Sequence, residues 1–175
     1  MNRNPHSGIT IPVTASTLRI WQPHMTAPTT YTPLIPYLTV NDAAKAIEFY
    51  KAAFGAVELF RLVDPHSGKV GHAELTIAGQ LMMLADEYPQ YNKSPTTLGG
   101  SATKFSLMVP NSDAAYQHSI AQGAIEVMPP HDQFYGHRSG SVRDPFGHEW
   151  MLWHEVEKVL PEEMQRRWND MVKQP

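Results

Sequence analysis

The chain has 175 residues, a formal net charge of −3, 42% hydrophobic and 18% charged residues, and no cysteine. Its length fits one domain, able to bury roughly 70% of its unfolded surface without covalent staples. The missing cysteine excludes disulfides, thiolate metal sites and cysteine nucleophiles. The lack of a basic block, and of any apolar run near ~18 residues, argues against nucleic acid and membrane as partners.

Residues 1–30 are rich in Thr, Pro and Ser and show no helical periodicity. Pro12, Thr14 and Ser16 interrupt the apolar positions, so no secretion-signal core forms and a cytoplasmic location is expected. This stretch reads as a flexible N-terminal extension, with Met25 opening a second natural-looking start. A strand follows over 34–40. Asn41 or Asp42 caps a helix running to about Ala53, with Ile47, Phe49, Tyr50 and Phe54 as its buried stripe and Gly55 as its stop. Then come the strand "AVELFRLV", the turn "DPHSG", the strand "KVGHAELTIA", the turn "GQ" and the strand "LMMLAD". This βαβββ module occupies 34–86. The connection 87–100 is long enough to cover a cavity or to exchange between subunits.

A second module, 103–155, repeats the pattern: the strand "KFSLMV", a helix from about Ser112 to Gln122, the strand "AIEVM", a long loop over 129–140, "SVRD", the turn "PFGH" and the strand "EWMLWHEV". Val40 and Val109 stand 69 residues apart, and Gly55 and Gly123 stand 68 apart, which marks the chain as two copies of one unit. An amphipathic helix over 161–173 closes the chain, with Pro161, Glu162 and Glu163 in its first turn; it caps the fold or meets a second subunit. The predicted fold is α+β: one domain over 31–175, with two βαβββ modules as a curved mixed-sheet half-barrel pair around a cavity and the helices outside.

The element order, with "YLTVNDAAKAIEFYKAAFGA", "HAEL", "MLAD", "DQFYG" and "DPFGH", resembles the vicinal oxygen chelate superfamily over about residues 31–170, and within it the PhnB-like branch. That superfamily includes glyoxalase I, bleomycin-resistance proteins, fosfomycin-resistance enzymes and extradiol dioxygenases. The resemblance implies a homodimer and a small-molecule ligand. Two functions stand open. One is an isomerase- or lyase-type enzyme using acid–base or metal-assisted chemistry. The other is a non-catalytic protein that sequesters a metabolite or antibiotic.

Strand alternation assigns the faces. Leu34, Pro36, Leu38 and Val40, then Ala73, Leu75 and Ile77, then Phe105, Leu107 and Val109, and finally Trp150 and Leu152 are expected in the core. Tyr37, His72, Glu74, Thr76, Lys104, Ser106, Met108, Glu149, Met151 and Trp153 are left to line the cavity. His148 and His154 read as structural, and Asp144 and Gly147 as turn residues.

Metal-binding members of the superfamily use one His, Gln or Glu from each of four inward strands. The matching positions are Ile35, Glu74, Lys104 and Met151, of which only Glu74 suits a divalent ion. A displaced divalent site built on His72 and Glu74, completed by His131 or Asp132, stays open beside a metal-free arrangement in which His72 and Glu74 bond each other, Lys104 or Tyr37. Without metal, Glu74 and Glu149 enclosed together would repel, raising one of them into the range for proton transfer beside His72. From the long loop, Tyr135 and Arg138 join His72 and Glu74 as catalytic candidates. Arg138 either anchors an anionic ligand or pairs with Asp132 to hold the loop closed. Tyr37, Phe134, Tyr135 and Trp153 offer stacking faces, and Lys104, Ser106, Asp132, Glu149 and Met151 complete the candidate ligand-binding set.

Overall fold

The computed structural model describes residues 34–173, so the proposed extension 1–30 lies outside the described residues. Module one contains β1 (Tyr37–Val40), α1 (Ala43–Phe54), β2 (Val57–Val63), β3 (Val70–Ile77) and β4 (Gln80–Asp86). A one-turn helix, α2 (Pro95–Leu98), lies in the connection. Module two contains β5 (Lys104–Met108), α3 (Ser112–Ala121), β6 (Ile125–Asp132), β7 (His137–Arg143) and β8 (Glu149–Glu155), and α4 (Pro161–Val172) follows.

Each module folds into a four-stranded mixed sheet, ordered β1-β4-β3-β2 and β5-β8-β7-β6, with one parallel pair in each (β1 with β4, β5 with β8). The helices pack outside the sheets, giving the expected α+β architecture as an open, not closed, barrel. The local signals act where they were read. The Asp42 carboxylate accepts from the Lys45 amide at 3.0 Å, and Gly55 ends α1 in the left-handed conformation, φ 65°. Asn111 caps α3 by accepting from the Ala114 amide at 2.9 Å.

One hydrophobic core joins the modules. Helix α1 buries Ala43, Ala46, Ile47, Phe49, Tyr50, Ala53 and Phe54. These residues share a cluster with Leu38, Val40, Ala73, Leu75 and Ile77 of sheet one, and with Val142, Phe146, Trp150 and Leu152 of module two. Trp150 is the pivot, its ring centroid 4.5 Å from Phe54, 4.8 Å from Phe105 and 5.5 Å from Tyr50. Beneath it the Asp144 carboxylate, 1% exposed, accepts from the Tyr50 hydroxyl at 2.8 Å, the Trp150 indole N–H at 2.9 Å and the backbone amides of Phe146 and His148, each at 2.9 Å. A buried carboxylate is tolerated only when it is satisfied in this way. The hairpin turn is held from outside too, because a Cβ on Gly147 (φ +93°) would meet the Pro95 Cβ of α2 at 2.8 Å.

Leu34 and Pro36 depart from the expected core; Leu34 is 88% exposed. The strand begins only at Tyr37, and α1 covers no more of it than Leu38 and Val40. The long loop over 129–140 departs further. It is the end of a β-hairpin, with β6 running to Asp132 and β7 starting at His137 around the turn 133–136. Gly and Ser in "HRSGSVR" read as loop formers, yet the ladder to β8 pairs every residue from His137 to Arg143.

If Asp144 ties α1 to module two, Tyr50→Phe should lower unfolding stability by about 1.5–3 kcal/mol, the range for a hydrogen bond to a charged group. Urea denaturation checks this, and an unchanged midpoint would contradict the role given to the pair.

Candidate functional site

With the helices on one side, each sheet presents a second, helix-free face. On sheet one a row runs across the strands from Tyr37 to Met83 to Glu74 to Phe60, and His72 stands opposite Leu62. The alternation in "GHAELTIA" places Ala73, Leu75 and Ile77 under α1, so His72, Glu74 and Thr76 come to this face. Glu74 is 5% exposed and Tyr37 51%. The Tyr37 hydroxyl lies 3.1 Å from His72 Nδ1, and His72 Nε2 lies 3.4 Å from Glu74 Oε1. Tyr37 and Phe60 flank the imidazole, each with its ring centroid 5.7 Å away. Burial raises the Tyr37 phenol above its ordinary value.

On sheet two the row Lys104, Glu149, Arg143 lies at one end. Glu149 is 3.2 Å from the Lys104 ammonium and 3.0 Å from the Arg143 guanidinium. Arg143 first, and Lys104 second, hold its carboxyl below the usual carboxylate range. The next row is Ser106, Met151, Ser141, Met128, followed by Met108, Trp153, Ser139, His131. Trp153 stacks on His137 at 4.1 Å with the planes 9° apart. Gln133 donates to Ser139 at 3.0 Å and lies 2.9 Å from His131 Nε2. Among the described residues, Ser141 Oγ and Trp153 Nε1 are buried with no hydrogen-bond partner.

The structure therefore brings Tyr37, His72 and Glu74 together on one sheet. It places Lys104, Ser106, Glu149, Met151 and Trp153 together on the other. No strand of one sheet has a Cα within 8 Å of a strand of the other, so within one chain the two sets do not meet. The expected repulsion between Glu74 and Glu149 does not arise in this arrangement, and Glu149 is shifted down, not up.

Arg138 stands on the helix side of β7, opposite His154. Its guanidinium bonds Asp113 of α3 at 2.7 and 2.8 Å and Asp132 at 2.9 Å, so the arrangement is the pairing with Asp132 and not an anchor within either helix-free face. Phe134 lies against Trp168 of α4 at 5.5 Å, and Tyr135 lies edge-on to His137 at 5.2 Å. His148 is buried, 3.9 Å from the Asp144 carboxylate. His154 Nδ1 accepts from the Ser112 amide at 3.0 Å.

The residues at the family's metal positions do not fit a divalent ion. The Lys104 ammonium is committed to Glu149, Met151 offers only a thioether, and Ile35 has no donor. His131 donates through Nδ1 to the Pro129 carbonyl at 3.1 Å, on the other sheet from His72 and Glu74. Among the described residues no group of three His, Asp or Glu converges as a metal site.

Sequence reasoning missed Phe60, Leu62, Ser139, Ser141 and Arg143. A register shift between Glu58 and Phe60 breaks the alternation of β2, so no simple period finds Phe60. For β7 a usable signal existed: His137, Ser139, Ser141 and Arg143 alternate in the sequence.

A family model described as the glyoxalase/bleomycin resistance protein/dioxygenase superfamily matches residues 23–152, and the chain belongs to that superfamily. An uncharacterized Mycobacterium bovis protein is 45% identical over 136 residues, covering 75% of this chain and 89% of that one. The YjdN protein of Escherichia coli is 28% identical over 140 residues, covering 69% and 93%. Among solved structures, TioX from Micromonospora sp. ML1 superposes with a TM-score of 0.56 at 28% identity, covering 71% of this chain and 99% of TioX. An Arabidopsis thaliana gene product gives a TM-score of 0.58 at 28% identity, covering 71% and 100%. No helix of the described residues is long and apolar enough to cross a membrane.

The depressed carboxyl of Glu149 contributes stability above the usual carboxylate range, and that contribution is lost as pH falls through its lowered value. In Arg143→Gln the Glu149 carboxyl should titrate higher, closer to an ordinary glutamate. Side-chain 13C NMR reads this directly, and an unmoved titration would show that Arg143 is not the main cause.

Proposed function

We propose that two copies of the chain form a homodimer in which the helix-free face of sheet one in one copy closes on that of sheet two in its partner. The enclosed cup binds a small molecule and moves protons on it, as an isomerase or lyase would, through acid–base chemistry centred on His72 and Glu74. The observation that carries this reading is the contact between His72 and the buried Glu74 on a sheet face no helix covers. An imidazole held by an enclosed carboxylate is suited to accept and return a proton.

Two features support assembly. The helix-bearing faces of both sheets already share one core, which leaves the other two faces outside it. Those faces and their edges carry exposed apolar side chains: Tyr37, Phe60, Leu62, Val63, Met108 and Ile125. Apolar side chains exposed on such faces favour burial against a partner. Pairing across copies would also bring Tyr37, His72 and Glu74 opposite the partner's Lys104, Ser106, Met151 and Trp153. The residues at the family's metal positions support a metal-independent form of the chemistry.

The sequestering alternative has one observation in its favour. The ring faces of Tyr37 and Phe60 beside His72 suit stacking against a planar ligand without any reaction.

Light scattering should give a dimer for the wild type and a monomer for Leu62→Glu, which places a charge on a residue 60% exposed in the single chain. A dimer that tolerates the charge would count against this interface. Candidate metabolites incubated with the protein in D2O should gain deuterium by mass spectrometry. The rate should fall about 100-fold or more in His72→Gln and Glu74→Gln, the scale of general acid–base catalysis. Binding without exchange would favour sequestration. Elemental analysis should find divalent metal well below one ion per chain, and a stoichiometric ion lost with His72 and Glu74 would overturn the metal-independent form.

A further inference from the structure

We infer that Tyr37, not His72, is the catalytic residue that meets the ligand, and that protons pass to and from it along the line Tyr37–His72–Glu74. The inference rests on the acid–base reading of this site and adds the order of the groups. Both imidazole nitrogens of His72 are engaged: Nδ1 by the Tyr37 hydroxyl at 3.1 Å and Nε2 by Glu74 at 3.4 Å. A carboxylate only accepts, so Nε2 carries the hydrogen, and Nδ1 is left with a lone pair that accepts from the phenol. Neither nitrogen is free to touch a bound molecule. The phenol oxygen keeps its own lone pairs, and exposure grades in the required direction: Glu74 is 5% exposed, and Tyr37 at the other end is 51% exposed. The buried carboxylate thus fixes the tautomer, the imidazole stores the proton, and the phenol faces outward. The same three-part logic of nucleophile or base, imidazole and orienting carboxylate recurs on unrelated folds.

The step balances without any co-reactant. An acidic X–H bond of the ligand breaks and its proton bonds to the Tyr37 oxygen. The original phenol O–H breaks at the same time and its proton bonds to Nδ1. The electron pair stays on X, and the imidazolium formed beside Glu74 offsets the ligand's new negative charge. Reversal to a different ligand atom gives an isomerisation. Burial raises the Tyr37 phenol, so a free phenolate is not the resting form, in keeping with a transfer in which the two protons move together. His72 and Glu74 are then positioning and proton-storing groups behind the residue that makes contact.

The arrangement can be tested without knowing the ligand. In 15N-histidine-labelled protein, the resonances absent from His72→Gln identify His72. They should show a protonated Nε2 and an unprotonated Nδ1, and Tyr37→Phe should move the Nδ1 shift while leaving Nε2 nearly in place. A protonated Nδ1, or an Nδ1 shift indifferent to Tyr37→Phe, would overturn the relay. The second probe is an arylsulfonyl fluoride. The Tyr37 oxygen forms the S–O bond, the S–F bond breaks with loss of fluoride, and the phenol proton passes to His72. Tyr37 should label about tenfold faster than Tyr91, which is 86% exposed and has no imidazole beside it among the described contacts, and His72→Gln should remove that advantage. Were His72 only packing, its removal would uncover Tyr37 and speed labelling, and that result would sink the inference. Deuterium exchange that depends on His72 and Glu74 but survives Tyr37→Phe would overturn the relay alone. Exchange indifferent to all three would overturn the acid–base reading beneath it.

Discussion

The two modules of this molecule are held in one arrangement by one buried carboxylate. Asp144 sits in the hairpin turn of module two and accepts from Tyr50 of α1, from the Trp150 indole and from two backbone amides. Burying an ionised group costs several kcal/mol unless its lone pairs are filled. Here the donors come from both modules, so the charge is satisfied only when α1 docks onto module two. Burial, and then the Asp144 charge, raise the Tyr50 phenol well above its ordinary value, which keeps that phenol protonated and donating. The aromatic cluster of Phe49, Tyr50, Phe54, Phe146 and Trp150 closes around the pair and supplies the apolar surface that makes docking favourable.

That docking decides where the polar faces point. Because the helix-bearing sides of both sheets share one core, the other sides cannot meet within the chain. His72 and Glu74 on sheet one and the cationic and aromatic rows on sheet two are each left on a face of their own. The two faces differ in chemistry. Sheet one carries a hydrogen-bonded line ending in a buried carboxylate. Sheet two carries a carboxylate already neutralised by two cations, together with buried hydroxyl and indole groups that have no partner among the described residues. Glu149 is tied up as an ion-pair centre.

Much of the fold was legible because it rests on local rules. Asp42 as a cap, Gly55 as a stop, and the repeat linking Val40 to Val109 are each set by a few neighbouring residues. Alternation placed His72 and Glu74 correctly because β3 is regular, with Ala73, Leu75 and Ile77 supplying an unbroken apolar set on the opposite side. That rule is not carried to β2, where a bulge moves Phe60, or to β7, where glycine and serine read as loop formers. Arg138 reads as a loop residue, either an anion anchor or the partner of Asp132, and its bonds to Asp113 on α3 leave no local signal.

The sequence by itself determined the two βαβββ modules, their helix boundaries, the family, and the face on which His72 and Glu74 stand. Periodicity and capping are short-range constraints, and they act wherever the chain is regular. Only the tertiary structure decided that the modules join through α1 and Asp144 and leave their polar faces apart, that Arg138 serves an ion pair, and that Tyr37 completes the line to His72. Those outcomes depend on contacts between residues 25 to 94 positions apart, and such distances leave no mark on local pattern.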